Sequence, residues 1–222
     1  MASSVKWPAA AALVCAVALG LLALLVYGGG EFRDLDTNLF ERLAAHQEGR
    51  GGEWGEAIAL LADPVPFIAL LLAACGIGLA RGRSLDAFAA LVVVVGANVT
   101  TQLLKAVLSH PRAQALIGDV RFEEVSFPSG HTTAAFSIAI AFAFVLPRDL
   151  LPLTLALGFV FGAAVGGSVV VIAWHYPSDA VGGFLVASAW GFAVLAGMRA
   201  VTPRRPREAG ADLSSPGPLP SR

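Results

Sequence analysis

Six long apolar segments, separated by short polar stretches, follow one another along this chain. They cover residues 8–27, 64–80, 87–104, 128–146, 152–174 and 180–198, and none of them contains Asp, Glu, Lys or Arg. Each approaches the roughly 20 residues that a helix rising about 1.5 Å per residue needs to cross a hydrocarbon core of about 30 Å. Because lipid offers no water to backbone amides, irregular chain is excluded from the hydrocarbon. The pattern therefore predicts an all-α protein, a bundle of six transmembrane helices.

The second segment has the least regular start. The sequence DPVP at residues 63–66 interrupts a helical pattern that begins near Trp54. We interpret residues 54–62 as an interfacial lead-in to the second span. The first segment follows Lys6 as a signal peptide would, but it is long for one, and no clear small-x-small cleavage site follows it. We therefore expect it to be a retained anchor.

Composition agrees with a membrane location. Of the 222 residues, 56% are hydrophobic and 14% are charged, a balance atypical of water-soluble domains. We expect one membrane domain over residues 1–201 and a disordered cytoplasmic tail over the Pro-, Ser- and Arg-rich residues 202–222. Cys15 and Cys75 lie within apolar segments with no Cys or His at metal-ligand spacing, so neither a disulfide nor a zinc site is predicted.

The charges between the six segments predict their orientation. The amino terminus, residues 81–86, residues 147–151 and the carboxyl tail share one side of the membrane, with nine basic and four acidic residues. The other side has the remaining six basic and twelve acidic residues. Because basic residues that flank spans are enriched in the cytoplasm, both termini are expected there. The histidine-containing loops then face outward.

The fourth segment opens with a sequence suited to binding an anion. In FPSGH, residues 127–131, Pro128 suits a helix start, Ser129 is a good N-cap, and Gly130 leaves the backbone bare. The unpaired amides of a helix N-terminus carry a partial positive charge that favours phosphate. His131 lies on the first turn, so an imidazole is predicted beside this anion site.

A second histidine precedes the sixth segment. In WHYPSD, residues 174–179, Asp179 follows His175 by four positions. A helix that opens at Pro177 brings these two side chains within about one turn of each other. A carboxylate that accepts the Nδ1 proton of an imidazole leaves the Nε2 lone pair free to attack an electrophile. His175 is therefore a candidate nucleophile.

The loop after the third segment supplies positive charge. Lys105 and Arg112 flank the sequence KAVLSHPR, and Arg121 lies in the same loop. A lysine point charge and a planar arginine fork are a pair of groups used to hold phosphate oxygens. The sequence therefore offers three segments that can act on one anion.

Other polar and aromatic residues near the segment ends have structural interpretations. Four polar residues of the third segment are expected to bond to neighbouring helices: Asn98, Thr100, Thr101 and Gln102. Trp174, at the end of the fifth segment, is expected to anchor that helix at the membrane interface.

Taken in order, the three motifs resemble the signature of the type 2 phosphatidic acid phosphatase superfamily, whose membrane members are six-helix lipid phosphatases. That signature has Lys, six residues and Arg-Pro, then Pro-Ser-Gly-His, then Ser-Arg, five residues and His-x-x-x-Asp. Here its parts lie at residues 105–112, 128–131 and 168–179, inside a motif core of residues 87–198. The chain departs from it at Ala113, where the signature has proline, and at Val169, where it has arginine.

The resemblance implies a mechanism. His175 would attack phosphorus to form a phosphohistidine, Asp179 would orient His175, and His131 would protonate the departing alcohol oxygen. The groups implied to bind phosphate are Lys105, Arg112, Ser129 and the Gly130 amide. Because Val169 cannot bind phosphate, Arg121 is a candidate for the missing positive charge.

The implied function is hydrolysis of a lipid phosphate or diphosphate at the extracytoplasmic ends of the third to sixth spans of a multi-pass cell-membrane protein. Phosphatidic acid, phosphatidylglycerol phosphate and polyprenyl diphosphate all fit. The expected partners are the lipid substrate and the bilayer, with no nucleic acid, no metal and no cofactor, and the oligomeric state is left open. Two alternatives remain: a lipid-phosphate binding or transport partner that lost turnover at Val169, and a lipid phosphotransferase. The presence of His175 and Asp179 favours chemistry over binding alone.

Overall fold

Helices make up all the regular structure in the part of the chain that a computed structural model describes, residues 2–108 and 127–201. In order they are α1 (Ala2–Tyr27), α2 (Glu31–Ala44), α3 (Arg50–Ala59), α4 (Pro64–Ala80), α5 (Ser84–Val107), α6 (Gly130–Val145), α7 (Leu151–Val171) and α8 (Pro177–Val201). Short 3₁₀ turns, Leu60–Ala62 and Arg148–Leu150, precede α4 and α7. The predicted phosphate ligands Arg112 and Arg121, and the predicted tail 202–222, lie outside the described residues.

Each of the six apolar segments forms a helix, which confirms the all-α prediction. On length and composition, α1, α5, α8 and α7 with its preceding turn can each cross a membrane. The α3 and α4 helices qualify together, as a pair bent by 47°. The remaining expected span, the fourth apolar segment, forms α6 with 16 residues, or about 24 Å at about 1.5 Å per residue. It is shorter than the apolar segment because Pro128 and the N-cap Ser129 precede the helix and because the chain is extended at Leu146, before Pro147.

The outer surface of the bundle is apolar. Large hydrophobic side chains project from several of the long helices, among them Leu13, Leu24, Leu72, Phe88, Leu103 and Phe159. A water-soluble protein rarely exposes so much contiguous apolar surface. Together with the long apolar helices, this surface identifies a multi-pass membrane protein.

The α6 helix lies in the middle of the bundle, packed against α4, α5, α7 and α8. Its polar side chains are bonded to α5: Thr101 and Thr133 are joined at 3.0 Å, and Asn98 donates to Ser137 at 3.2 Å. Elsewhere on α5, Trp190 of α8 donates to Thr100 at 3.0 Å. These bonds confirm the helix contacts predicted for Asn98, Thr100 and Thr101. They fix α6, which carries His131, relative to its neighbours.

The α2 helix was not predicted. It is short and carries many charged residues, so it lacks the long apolar run that marks a span. Its inner face is formed by Asp36, Phe40 and Ala44, spaced four residues apart and all buried. Phe40 stacks on Tyr176 with ring centroids 4.6 Å apart. The helix therefore packs onto the chain just before α8, where the candidate nucleophile lies.

Candidate active site

His175 lies at the sharp junction between α7 and α8. The N–H of Ala173 donates to the Val170 carbonyl at 3.0 Å and that of Trp174 to the Val169 carbonyl at 2.9 Å, the two bonds of a Schellman motif. Ala173 adopts the left-handed conformation that this motif requires, with φ 61°. The N–H of His175 also donates to the Val169 carbonyl, at 3.0 Å. The turn thus ends α7 three residues before the apolar segment ends, and it fixes the backbone of His175.

Asp179 faces His175, as the four-residue spacing predicts. Pro177 opens α8, and Asp179 Oδ2 lies 3.4 Å from Nδ1 of His175. The same oxygen accepts the N–H of Tyr176 at 3.0 Å, which is the reciprocal half of a capping box. His175 is 5% exposed and Asp179 is fully buried, so water does not separate them. Long catalytic contacts of this kind commonly tighten when substrate binds.

Ser129 caps α6, as predicted. Its Oγ accepts the N–H of Thr132 at 3.3 Å, and its carbonyl accepts the N–H of Thr133 at 3.1 Å. Within the part of the chain that the structure describes, the amides of Gly130 and His131 donate no hydrogen bond to another protein group. These two amides at the positive end of a helix are therefore available to an anion.

A close approach of α6 and α8 brings the second and third motifs together. The N–H of Ser129 donates to the carbonyl of Asp179 at 2.9 Å. Gly183, one turn further along α8, makes this approach possible. A Cβ on Gly183 would lie 2.7 Å from the Ser129 carbonyl oxygen and 2.9 Å from the Thr133 nitrogen. The absence of a side chain at Gly183 thus sets the distance between the two motifs.

His131 lies where the three motifs meet. It lies close enough to His175, and to Lys105 in the last turn of α5, for charges on those groups to act on it. Its ring also packs against Trp174, with centroids 5.4 Å apart. Trp174, expected as an interfacial anchor, therefore also contacts the site. The described members of the three motifs are together at one end of the bundle.

Two carboxylates that the sequence did not single out complete this end of the bundle. Asp63, at the bend before α4, lies with its Oδ1 3.3 Å from Nε2 of His131. Asp36 on α2 accepts two hydrogen bonds from Ser178, in the first turn of α8. The sequence DPVP indicates a helix start at Asp63. It does not indicate that the Asp63 carboxylate lies next to His131, because the two residues are 68 positions apart in the chain.

Val169 lies where the resembled signature has arginine, and its side chain is fully buried. It packs with Ala59 of α3 and with Ile172, the residue that follows α7. Gly55 brings α3 close to this position, because a Cβ there would lie 2.5 Å from Ile172 Cγ2. The space around Val169 is therefore filled by α3, with apolar atoms.

No group of three His, Cys, Asp or Glu side chains that can hold a metal ion occurs among residues 2–108 and 127–201. The independence from metal remains a prediction. The roles of Arg112 and Arg121 also remain predictions, since both residues lie outside these ranges.

Comparisons with known proteins agree with the motifs and the fold. The model of a family described as the PAP2 superfamily matches residues 86–203. The undecaprenyl-diphosphatase BcrC of Bacillus subtilis (strain 168) is 39% identical over 69 residues, which are 31% of this chain and 33% of that protein. The chain thus matches about a third of the length of this curated relative. The crystal structure of a transmembrane PAP2 type phosphatidylglycerolphosphate phosphatase from Bacillus subtilis superposes with a TM-score of 0.77 at 19% identity, over 88% of this chain and 99% of that chain.

Proposed function

Because this chain belongs to the PAP2 superfamily, we propose that it is a membrane phosphatase that hydrolyses a lipid phosphate or diphosphate through a phosphohistidine. The proposal includes six spans, cytoplasmic termini and an active site at the outer face of the membrane. One observation supports the proposed function most directly. The Ser129 N–H donates to the Asp179 carbonyl at 2.9 Å, which places the α6 terminus with His131 beside the buried His175–Asp179 pair at one end of an apolar helical bundle.

In the first step, Nε2 of His175 attacks phosphorus as the bond from phosphorus to the leaving oxygen breaks. His131 gives a proton to that oxygen, so a monoester leaves as an alcohol and a diphosphate leaves as a monophosphate. Asp179 keeps the Nδ1 proton of His175 in place and stabilises the positive charge that the ring gains. Water then attacks the phosphohistidine and gives a proton to His131, which releases inorganic phosphate and restores both rings.

The phosphoryl group is held mainly by charge and by backbone amides, because transfer of this group depends on electrostatic stabilisation of its oxygens. Lys105 supplies a cation, and the α6 terminus supplies the Gly130 amide beside the hydroxyl of Ser129. Arg112 and Arg121 are proposed to add the remaining positive charge. Such charge is needed because Val169, in the place of the family arginine, is packed among apolar atoms.

The substrate class follows from the position of the site. The bundle presents apolar side chains to lipid along its length, and the site lies at its end. A lipid tail can therefore stay in the bilayer while its phosphate reaches His175. The named activities of the two relatives, on undecaprenyl diphosphate and phosphatidylglycerol phosphate, both fit this class. Phosphatidic acid fits it as well.

The surroundings of Val169 favour one second candidate. A phosphate site without the family arginine suits a protein that binds a lipid phosphate and does not turn it over. Such a protein has no use for a histidine nucleophile paired with a buried carboxylate. Transfer of the phosphoryl group from His175 to a second alcohol would use the same intermediate and differ only in the acceptor.

Phosphate release from the detergent-purified protein tests the proposal. We expect release from at least one of phosphatidic acid, phosphatidylglycerol phosphate and a polyprenyl diphosphate, with EDTA present. His175→Ala should abolish it, and His46→Ala, at an exposed histidine just after α2, should leave it unchanged. A brief reaction with ³²P-labelled substrate should leave acid-labile label on the protein, and none on His175→Ala. Binding of these lipids without release by the wild type would favour the second candidate.

A further inference from the structure

His131 belongs to a carboxylate–imidazole pair of its own. Asp63 Oδ1 lies 3.3 Å from Nε2 of His131, much as Asp179 Oδ2 lies 3.4 Å from Nδ1 of His175. Asp63 lies outside the family match at residues 86–203, so the family motifs give it no role. The site therefore contains two histidines, and each is held at one ring nitrogen by a carboxylate.

The sequence around Asp63 explains why its carboxylate points away from its own helix. Asp63 is the N-cap of α4, where an aspartate normally accepts a hydrogen bond from the second or third amide of the helix. Here Pro66 has no N–H at the third position and Pro64 has none at the first, so only the Val65 amide could serve a cap. The Asp63 side chain makes no capping bond.

The backbone of Asp63 is nevertheless fixed. Its N–H donates to the Leu60 carbonyl at 3.2 Å, and its own carbonyl accepts the N–H of Phe67 at 2.9 Å. These bonds hold Asp63 at the bend between the 3₁₀ turn and α4. The carboxylate is therefore presented to His131 from a rigid position.

The His131 ring is thereby held on two sides. Asp63 holds Nε2, and Trp174 packs against the ring with centroids 5.4 Å apart. Nδ1 of His131 makes no hydrogen bond to any residue that the structure describes. With 26% of its side chain exposed, His131 remains accessible to a substrate.

We propose that Asp63 is a positioning residue that holds Nε2 of His131 and so presents Nδ1 to the leaving oxygen of the substrate. The inference rests on the proposed phosphatase function. In the first step the Nδ1–H bond of His131 breaks and the proton joins the leaving oxygen. The proton on Nε2 stays there, hydrogen-bonded to the Asp63 carboxylate. When water attacks the phosphohistidine, Nδ1 takes a proton back.

A test that varies the leaving group separates this role from a merely structural one. An acid catalyst matters for an alkyl phosphate, whose alkoxide leaves poorly, and matters little for p-nitrophenyl phosphate, whose phenolate leaves readily. Asp63→Asn should lower kcat for a short-chain alkyl phosphate by about 10- to 100-fold, a part of the 10²–10⁴ typical of acid catalysis, and change kcat for p-nitrophenyl phosphate less than about threefold. KM should not rise, because the substitution removes a negative charge beside a phosphate site.

Two further variants complete the experiment. His131→Gln should show the same dependence on the leaving group with a larger loss, and adding Asp63→Asn to it should cost nothing more, since both act through one ring. Glu56→Gln, at an exposed carboxylate on α3, is the control for charge and should behave as wild type. Equal losses for both substrates, or additive losses in the double variant, would overturn the role of Asp63 and leave the phosphatase function intact. A wild type that releases phosphate neither from these two substrates nor from the three lipid substrates above would overturn both.

Discussion

Asp36 on α2 holds Ser178 on α8 through two hydrogen bonds, although the two residues are 142 positions apart. The Ser178 N–H donates to Oδ1 at 3.0 Å and its hydroxyl donates to Oδ2 at 2.6 Å. Both side chains are buried. Asp36 therefore caps the first turn of α8 from another helix, and that turn carries Asp179.

Asp36→Ala is expected to weaken both the fold and the site. Removing the carboxylate takes away the acceptor of two hydrogen bonds from Ser178, and the loss of one such buried partner costs about 1–3 kcal/mol. The loosened turn should misplace Asp179 and lower phosphate release by about 10- to 100-fold. Thermal unfolding in detergent and a phosphate assay measure the two effects. Asp34→Ala, at an exposed position of the same helix, should change neither, and equal effects of the two variants would refute the capping role.

Asp179→Asn should slow formation of the phosphohistidine by about 10²–10⁴-fold. The amide does not stabilise the positive charge on His175, and it favours the wrong tautomer of the ring. Rapid-quench measurement of protein-bound ³²P gives this rate directly. Asp149→Asn, at an exposed site before α7, is the matched control. An unchanged rate in Asp179→Asn would show that His175 needs no partner.

Gly183→Ala should separate the second motif from the third. The added Cβ would lie 2.7 Å from the Ser129 carbonyl oxygen, so α6 and α8 must move apart. The bond from Ser129 to Asp179 lengthens as a result, and activity should fall more than about tenfold. Gly197→Ala is the control on the same helix, because its Cβ would meet nothing within 4 Å. Full activity in Gly183→Ala would show that the site tolerates a wider spacing.

Val169→Arg should not restore the phosphate-binding role of the family arginine, because it places a guanidinium among apolar atoms. A buried charge without a partner costs several kcal/mol, so the variant should unfold at a lower temperature and release no more phosphate than wild type. Val169→Ala removes only apolar contacts and should destabilise by about 1–3 kcal/mol while keeping activity. A rise in phosphate release in Val169→Arg would show that the side chain reaches the phosphate site.

Single cysteines test the proposed orientation. In a Cys15→Ala, Cys75→Ala background, Glu48→Cys lies between α2 and α3 and Arg148→Cys lies before α7, both exposed. A membrane-impermeant maleimide applied to intact cells should label the first variant and not the second, because only the first faces outward. Permeabilised cells should show labelling of both. Labelling of the second variant alone would reverse the topology.

Much of the fold and part of the site were predictable because they depend on residues that are close together in the sequence. A run of apolar residues specifies a membrane helix wherever it lies. The cap at Ser129 and the pairing of His175 with Asp179 each involve residues within four positions. The early end of α7 was not predicted, since Ala173 occupies a left-handed position where the sequence offers no glycine.

By itself, then, the sequence determined the six apolar helices, the Ser129 cap and the His175–Asp179 pair. The tertiary structure alone decided that Asp63 meets His131, that Asp36 caps α8, and that α3 fills the space around Val169. The physical reason is the distance along the chain over which each interaction acts. Helix formation and capping act within a turn or two, whereas the meeting of residues 68 or 142 positions apart depends on how whole helices pack.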